Sequence, residues 1–351
     1  MAAHQTPKRA RSPSPQQDVP SKRSRIELSS TSTVKFLIVS DTHDTEPNLP
    51  QCDVLLHCGD LTEDGSPASL KKALKAIGKA NAGLKLVIAG NHEISLDKSY
   101  HLSEGGSEKD HAEAYALVSS DEGSEASKNG VTFLEEGTHT FTLKSGATFT
   151  IYTSPYTPKY GASAFQYQSD EDRFNIATST PKWAKNVGTE KSVIPMDVDV
   201  VMTHGPPKYL LDATADGRSA GCEHLRRALA RVRPRLHCFG HIHRGYGAQR
   251  IEYDDTKTPE DDPDCIISLP KEWVGKNQAK RKGHANLPPN SREAFHEDKG
   301  QTLMVNAAVL DKNDEPGNAP WMVELELPVS RRSLEKEERE EREEGEEGVK
   351  V

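Results

Sequence analysis

Short apolar runs recur along this chain, and most of them end abruptly in a polar residue. The first complete run, residues 34–40, is rich in branched side chains and is typical of a buried strand. Residues 67–77 follow a helical pattern instead, because Leu70, Leu74 and Ile77 recur on one face. A strand, a helix and a strand at this spacing predict a right-handed parallel crossover, and therefore an α/β core.

Further strand patterns extend this core towards the end of the chain. They cover residues 53–58, 84–89, 149–153, 198–203, 236–239, 302–306 and 322–327. A second amphipathic helix is predicted at residues 223–232, and residues 97–129 are polar with one helical segment. Residues 254–299 are polar with little periodicity, which predicts a surface insertion in the domain; residues 265–269 within it have the pattern of a short strand.

Both ends of the chain lack hydrophobic periodicity. Residues 1–33 are rich in Ser, Pro and Arg and predict a disordered basic tail, whereas the Glu-rich residues 329–351 predict a solvated helix or a second disordered tail. The folded domain is therefore expected at residues 34–328. Two basic clusters, at residues 8–11 and 22–25, resemble a bipartite nuclear-import signal that an import receptor would bind. Basic tails without such a role are equally common.

Composition narrows the class of protein. The net charge of -9 offers no broad electrostatic surface for nucleic acid. The longest apolar runs are far shorter than the ~20 residues of a membrane span, so no membrane association is expected. The 5 cysteines form no CxxC pair, and the N-terminus lacks the pattern of a secretory signal. These features favour an intracellular, reducing location in the nucleus or the cytoplasm.

Side chains that commonly bind metal ions follow the ends of five predicted strands. They are Asp41, His43, Asp60, Asn91, His92, His204, His241 and His243. Because parallel strands end at one edge of a sheet, we expect these side chains to lie together. Oxygen and imidazole ligands without thiolates suit Mn, Fe or Zn. A single histidine at a strand end is more often an ordinary polar residue, so the metal site is predicted from the coincidence of all five ends.

The spacing within these motifs indicates how ions could be held. Asp41 and His43 are two residues apart, and on an extended segment their side chains point the same way. The same holds for His241 and His243, so each pair can hold one ion or two neighbouring ions. The two carboxylate oxygens of Asp60 can bridge both metals.

In combination, the motifs resemble the signature of the calcineurin-like metallophosphoesterase superfamily. The matching segments, in the family's order, are Asp41-x-His43, Gly59-Asp60, Gly90-Asn91-His92-Glu93, His204 and Gly240-His241-x-His243. Residues 59–65, 203–207 and 240–247 more narrowly resemble the MPPED-type branch, whose members are implicated in phosphodiester hydrolysis. The resemblance implies a four-layered α/β/β/α sandwich, with a dimetal site at the C-terminal edge of its two central sheets.

The resemblance also implies a ligand set for two divalent metal ions. Asp41, His43, Asp60 and His243 would hold one ion, and Asp60, Asn91, His204 and His241 would hold the other. Two such ions share a water, lower its pKa and aim it in line at phosphorus. The expected activity is therefore hydrolysis of small phosphodiesters by a metal-bridging hydroxide, with cyclic nucleotides among the candidate substrates.

Further residues receive roles around the metals. His92 is placed to protonate the leaving group as general acid, and Glu63 is preferred to Glu93 as its acidic partner. Arg244, beside the second histidine pair, is a candidate for binding the substrate. The Ser/Thr protein phosphatases of the superfamily carry an arginine where this chain has Asp64. An acidic residue there repels a doubly charged monoester and favours a singly charged diester.

Other functions stay open on the sequence alone. A phosphomonoester or phosphoprotein phosphatase would use the same chemistry, and a catalytically weak binding or scaffold protein could keep the same fold. A nucleic-acid phosphodiesterase is a further alternative, although the acidic balance does not favour it.

Overall fold

The computed structural model describes residues 30–257 and 265–330 of the chain. The predicted basic clusters at 8–11 and 22–25, and the Glu-rich stretch from 331 onwards, lie outside the described residues. The strands are β1 (Thr31–Val39), β2 (Cys52–His57), β3 (Ala82–Val87), β4 (Thr132–Phe133), β5 (Gly137–Thr142), β6 (Thr148–Ser154), β7 (Thr157–Pro158), β8 (Gln166–Tyr167), β9 (Glu171–Asp172), β10 (Lys185–Asn186), β11 (Val200–Thr203), β12 (Leu236–Phe239), β13 (Gly247–Tyr253), β14 (Ile266–Lys271), β15 (Thr302–Asn306) and β16 (Trp321–Pro328). The α-helices are α1 (Pro67–Gly78), α2 (Lys98–Ser103), α3 (Glu108–Val118), α4 (Glu125–Lys128), α5 (Glu223–Val232), α6 (Lys276–Lys282) and α7 (Pro289–Glu297).

Two mixed sheets form the centre of the fold. The first has the strand order β16-β1-β2-β3-β4, and the second has the order β14-β13-β15-β12-β11-β6-β5. In the first sheet, β1, β2, β3 and β4 are parallel, and β16 is antiparallel to β1. In the second, β6, β11, β12 and β15 are parallel. The strands that precede the predicted ligands therefore belong to the parallel part of each sheet, where their carboxyl ends share an edge.

Alternate side chains of these strands face two different cores. Phe36 and Ile38 of β1 pack between the sheets with Phe149 of β6 and Met202 of β11. Leu37 lies between them in sequence and packs on the outer face of the first sheet, which α1, α3 and α4 cover. Helix α5 covers the outer face of the second sheet. The structure thus confirms the α/β class and the four-layered α/β/β/α sandwich.

Helix α1 shows how the local sequence builds one of these layers. The Ser66 side chain accepts a hydrogen bond from Ser69 N–H, and Pro67 occupies the first turn, where its missing N–H costs nothing. Leu70 and Leu74 are fully buried against the first sheet. Complete burial of a leucine side chain contributes about 2 kcal/mol, so this face fixes the helix on the sheet.

Two regions are more ordered than their composition predicts. Strand β1 begins at Thr31, before the predicted start of order at residue 34, because residues 31–33 pair with the end of β16. Within residues 254–299, β14 pairs with β13, and α6 and α7 bury Ala279 and Phe295 in the core between the sheets. A few apolar anchors are enough to attach this otherwise polar stretch to the fold. In the described part of the chain, no helix has the length and apolar character needed to cross a bilayer.

Candidate metal centre

The predicted ligand residues from both sheets meet at the carboxyl edge of the sandwich. Three groups have ligand atoms within 4.8 Å of one another: Asp41 with His43 and His243, His43 with Asp60 and His92, and Asp60 with His204 and His241. Asn91 joins them through its side-chain oxygen, which lies 2.9 Å from His204 Nε2. The loops after β1, β2 and β3 supply one half of the cluster, and the loops after β11 and β12 supply the other. The fold therefore brings together every metal ligand named from the sequence.

Two buried carboxylates lie at the centre of the cluster. Asp41 and Asp60 are 0% and 2% exposed. Both oxygens of Asp41 accept hydrogen bonds from His241 N–H, at 2.9 and 3.0 Å. Asp60 Oδ1 accepts from His92 N–H at 2.9 Å, while its Oδ2 lies 3.2 Å from His204 Nε2 and 3.7 Å from His43 Nε2. Asp60 Oδ2 therefore lies between a histidine of each outer group, where a bridging ligand is required.

In three histidines of the cluster, Nδ1 lies beside an oxygen atom of another residue. Nδ1 of His43 lies 2.8 Å from the Glu63 carboxylate, and Nδ1 of His243 lies 2.8 Å from the Asp314 carboxylate. Nδ1 of His204 lies 2.9 Å from the main-chain oxygen of Cys58. For His204 and His243, a hydrogen-bond acceptor at Nδ1 favours the tautomer with its proton there, so Nε2 is left with a lone pair for a metal ion. At His43, the Glu63 carboxylate lies close to Nδ1 but makes no hydrogen bond with it.

The donor set fits two divalent metal ions. Both ring nitrogens of His43 are buried and have no hydrogen-bond partner among the described residues, which is costly unless another group binds the ring. Carboxylate, amide and imidazole donors without thiolates suit first-row ions. Asp41, His43 and His243 lie around one position, and His204 and His241 lie around the other, with Asp60 contacting both.

The histidines of the cluster differ widely in pKa. Burial alone would lower the pKa of His204, but the negative charge of Asp60 and its hydrogen bond raise that pKa to about 9. For His243, burial is likewise outweighed by the hydrogen bond and charge of Asp41, and the pKa rises to about 9. Burial dominates at His241 and lowers its pKa to about 4. At Asp60, burial opposes the charge of His204, which nevertheless holds the carboxyl pKa far below its usual range.

The backbone at the ligands is left-handed, not extended. Asp41, His43, Asp60 and His241 have φ values of 56°, 40°, 51° and 66°. Such conformations are strained for residues with a Cβ and are typical of functional sites. The reasoning from alternation along an extended strand is therefore wrong. Asp41 and His43 share a group because the loop curls, whereas His241 and His243 enter different groups.

Two glycines allow the loops to approach so closely. A Cβ at Gly240 would overlap Asp41 Oδ2 and Ser40 Oγ, and a Cβ at Gly90 would overlap Asp60 Oδ1. The space that a side chain would fill is taken by the two central carboxylates. Glycine is thus required at both positions by contact with the site itself.

Glu93 connects the loops after β2 and β3 from beneath the cluster. Its fully buried carboxylate accepts from the N–H groups of Asp60, Thr62 and Gly90, at 3.0, 3.0 and 2.6 Å, and from the Thr62 hydroxyl at 3.0 Å. Burial, together with the nearby charge of Asp60, raises the pKa of Glu93 to about 7. The sequence singled this residue out only as a possible partner for His92. Its contacts instead hold the loop that carries the bridging carboxylate.

Glu63 contacts two histidines through two different groups. Its main-chain oxygen lies 2.8 Å from His92 Nδ1, and its carboxylate lies 2.8 Å from His43 Nδ1. The predicted partnership of Glu63 with His92 is thus made by the carbonyl and not by the acidic side chain. The rings of His92 and His43 are 4.6 Å apart, which places His92 beside the cluster.

The remaining predicted residues lie around the site without contacting its central carboxylates in the described structure. Arg244 follows His243 in a short 3₁₀ turn and donates a hydrogen bond to the Ala215 carbonyl at 3.3 Å. Asp64 accepts from Ser66 N–H at the start of α1, at 2.9 Å. The sequence missed Asp314, because it stands in a loop after β15 with no recognisable motif. The sequence offered one signal for Asp314, which is an acidic side chain in a turn near the predicted sheet edge.

Comparison with known proteins places the matching region over the sandwich. The sequence model of the family described as calcineurin-like phosphoesterase matches residues 34–245. Metallophosphoesterase domain-containing protein 1 of Homo sapiens is 32% identical over 240 residues, covering 67% of this chain and 67% of that protein. The matched region contains every ligand residue of the cluster.

Two other relatives match over a smaller share of their own length. A UPF0046 protein of Caenorhabditis elegans is 33% identical over 229 residues, which cover 63% of this chain and 54% of that protein. The probable rhamnogalacturonate lyase C of Emericella nidulans is 39% identical over 223 residues, covering 63% of this chain and 18% of that protein. The chain therefore spans about half of the first of these relatives and less than a fifth of the second.

Metal binding should release protons and strengthen as the pH rises. With pKa values of about 9, His204 and His243 are protonated in the metal-free protein at pH 7, and Nε2 must lose its proton to bind an ion. We expect about one proton to be released per ion at pH 7, and metal affinity to increase between pH 6 and pH 9. Calorimetry in buffers of different ionisation enthalpy measures both quantities. A pH-independent affinity over this range would contradict the assignment.

Replacing Glu93 should weaken metal binding although the residue is not a ligand. In Glu93→Gln, the new amide group turns an N–H₂ towards main-chain N–H donors, which disturbs the position of Asp60. We expect metal affinity to fall about 10–100-fold, and the melting temperature to fall as well. Glu113→Gln, on the exposed face of α3, is the control and should change neither. Unchanged metal affinity in Glu93→Gln would show that the loop needs no such support.

Proposed function

Because this chain belongs to the calcineurin-like phosphoesterase family, we propose that it is a metal-dependent phosphoesterase acting on phosphodiesters, with cyclic nucleotides among its candidate substrates. The observation that carries the proposal is the shared position of Asp60. Its Oδ2 lies within 3.7 Å of histidines from both metal groups, and His92 lies at the side of the same cluster. This is the arrangement that in-line displacement at phosphorus requires.

The ions supply the part of the chemistry that the side chains cannot. Two divalent ions, for which Mn, Fe and Zn are candidates, would lower the pKa of a water molecule and neutralise phosphate oxygens. The side chains would hold those ions in a buried, preorganised site, so that little rearrangement is needed during the reaction. Asp41 and Asp60 contribute the negative charge, and the histidines contribute directional donors from both sheets.

His92 is the group best placed to protonate the leaving oxygen. The Glu63 carbonyl accepts from Nδ1, and a ring nitrogen of His92 lies within 4.8 Å of ligand atoms of Asp60 and His43. Burial lowers the pKa of His92, but the charge of Asp60 and the contact with the Glu63 carbonyl outweigh it and raise the pKa above its usual value. A raised pKa favours the protonated imidazole, which is the form that a general acid needs.

Charges around the site favour a diester over a monoester. The carboxylates of Glu63 and Asp314 each lie 2.8 Å from Nδ1 of a ligand histidine, and they are 68% and 79% exposed. They add negative charge at the rim of the site, where a substrate phosphate must enter. A doubly charged monoester is repelled more strongly than a singly charged diester. Asp64 adds a further carboxylate in the same turn as Glu63, although it is hydrogen-bonded to the start of α1.

Paired chromogenic substrates test this preference. Protein loaded with Mn²⁺ should hydrolyse bis-p-nitrophenyl phosphate with a higher kcat/KM than p-nitrophenyl phosphate, and cyclic AMP should also be hydrolysed. Asp60→Ala should lose hydrolysis of all three substrates and bind fewer ions, because the bridge is removed.

The outcomes separate the rival functions. A higher kcat/KM for the monoester would favour a phosphatase and contradict the diesterase proposal. If fully loaded protein hydrolyses none of the substrates, a binding or scaffold role replaces the enzymatic one. Cleavage of single-stranded nucleic acid alone would instead indicate a nuclease.

The role of His92 predicts a dependence on the leaving group. An alkoxide leaving from cyclic AMP needs a proton, whereas p-nitrophenolate leaves without one. His92→Asn should therefore lower kcat by about 10²–10⁴-fold with cyclic AMP and much less with bis-p-nitrophenyl phosphate. His139→Asn, a histidine outside the cluster on β5, is the control. Equal losses on both substrates would assign His92 to metal binding or structure and not to proton transfer.

A further inference from the structure

The loop between β15 and β16, residues 307–320, joins the two sheets beside the metal centre. Ala307 N–H donates to the Phe239 carbonyl of the second sheet at 2.8 Å. The Ala307 carbonyl accepts from Ser40 N–H, at the end of β1 in the first sheet, at 3.1 Å. Ser40 directly precedes the ligand Asp41. The loop therefore contacts ligand-bearing strand ends of both sheets.

Asn306, the last residue of β15, extends these contacts through its side chain. The residue is fully buried, and its amide nitrogen donates to the Ile242 carbonyl at 2.9 Å and to the Leu211 carbonyl at 3.2 Å. Its side-chain oxygen accepts from Ala308 N–H at 3.2 Å. These three contacts can be made together only with the nitrogen facing the two carbonyls, so the network fixes the orientation of the amide.

The Ile242 carbonyl lies at a critical point of the metal centre. Ile242 stands between His241 and His243, which belong to different metal groups. His241 has a left-handed backbone with φ of 66°, a conformation that persists only where surrounding contacts maintain it. Gly245 N–H supplies one contact from within the turn, at 2.8 Å, and Asn306 supplies another from outside it. Loss of the Asn306 amide should therefore displace ligands of both metal positions.

Asp314 acts on one of these two histidines. Its carboxylate lies 2.8 Å from Nδ1 of His243, while Nε2 of the same ring lies 3.5 Å from Asp41 Oδ1. The ring is thus held through both of its nitrogens. A carboxylate at Nδ1 accepts the proton there, fixes the orientation of the ring and leaves Nε2 for an ion.

The shape of the loop directs Asp314 towards His243. Asp314 has a left-handed backbone with φ of 59°, which aspartate tolerates better than most residues. Asp311 N–H closes the turn by donating to the Glu315 carbonyl at 2.8 Å. At the base of the loop, the Asn318 side chain donates to two main-chain carbonyls at 3.1 and 2.9 Å. These contacts give the loop a defined shape although its tip is exposed.

We propose that Asn306 and Asp314 are positioning residues of the metal centre, and that they differ in the metal positions that they affect. Asn306 sets the turn between His241 and His243 and so supports both positions. Asp314 holds the His243 ring and supports only the position to which that ring belongs. The family model ends at residue 245, so both positioning residues lie outside the region that it matches.

Metal binding by full-length variants tests this difference. Metal-free protein is titrated with Zn²⁺ by calorimetry, and the ions retained after dialysis are counted by elemental analysis. Asp314→Ala should lower the affinity for one ion, and Asn306→Ala for both ions, by about 10–100-fold. At a free Zn²⁺ concentration that just fills both positions of the unsubstituted protein, Asp314→Ala should retain about one ion per chain and Asn306→Ala fewer. Equal losses in the two variants, or no loss in either, would overturn the proposal.

Two control variants separate an effect on the metals from a general loss of stability. Asn175 is also buried and donates to a main-chain carbonyl, that of His224 at 3.0 Å, outside the cluster. Asn175→Ala should lower the melting temperature but retain both ions. Glu315→Ala removes an exposed carboxylate next to Asp314 and should change neither quantity. A loss of ions in either control as large as in the matched variant would refute the positioning roles.

A conservative variant tests how Asp314 acts. Asp314→Asn keeps an oxygen that can accept from Nδ1–H of His243 but removes the charge, so it should retain both ions. The Nδ1 proton of His243 should be observed by NMR in the Zn²⁺-loaded unsubstituted protein and in Asp314→Asn, but should exchange rapidly in Asp314→Ala. If Asp314→Asn loses as much metal as Asp314→Ala, the charge and not the hydrogen bond supports the site, and the positioning role is refuted.

The test does not depend on the folding of one variant or on hydrolysis. The Asp314 side chain is 79% exposed at the tip of a loop, so its variants decide the proposal even if Asn306→Ala fails to fold. Because metal binding is measured directly, failure of the hydrolysis assays would leave the result intact.

Discussion

The burial of two carboxylates, Asp41 and Asp60, is the constraint on which the site depends. A buried negative charge is costly unless cations or several donors surround it. Main-chain N–H groups of His241 and His92 and the rings of His204, His43 and His243 supply part of this compensation. These groups come from both sheets, so the carboxylates can be satisfied only when the sandwich is assembled. The close packing of Phe36, Phe149 and their neighbours between the sheets thus determines the geometry of the metal centre.

The sequence predicted the content of the site well, because the relevant signals are local. Parallel strands are recognisable as short apolar runs. Each of five ligand residues follows the end of such a strand within four residues: Asp41, Asp60, Asn91, His204 and His241. Polar residues that follow these strands therefore meet at the carboxyl edge of the sheet, and the conformation of each loop does not change this. The same logic predicted the α/β class and, through the family resemblance, the four layers. The order of residues 31–33 was underestimated because it depends on pairing with the distant strand β16. The order of residues 265–299 depends on the pairing of β14 with β13 and on a few apolar anchors, which the composition of this stretch does not reveal.

The geometry within the loops was not predictable, for a physical reason. Left-handed backbone at Asp41, His43 and Asp60 is unfavourable locally and is maintained by tertiary contacts, such as Asp41 N–H to the Gly59 carbonyl. The partners of the ligands are equally non-local. Asp314 reaches His243 across 71 positions of sequence, and Glu93 reaches Asp60 N–H across 33. Residue type and spacing along the chain carry little information about contacts of this kind.

The two contacts of Glu63 bear on how variation at this position should be interpreted. The carboxylate belongs to the side chain, but the carbonyl that orients His92 belongs to the main chain and is present in every amino acid. Position 63 can therefore change identity and still orient His92, provided that the turn between Asp60 and Gly65 keeps its shape. Side-chain substitution there removes the carboxylate beside His43 and its charge near His92, but leaves the carbonyl in place. The orientation of His92 therefore depends on the shape of the backbone at residue 63. Gly65 permits that shape because it places no side chain against the His92 carbonyl.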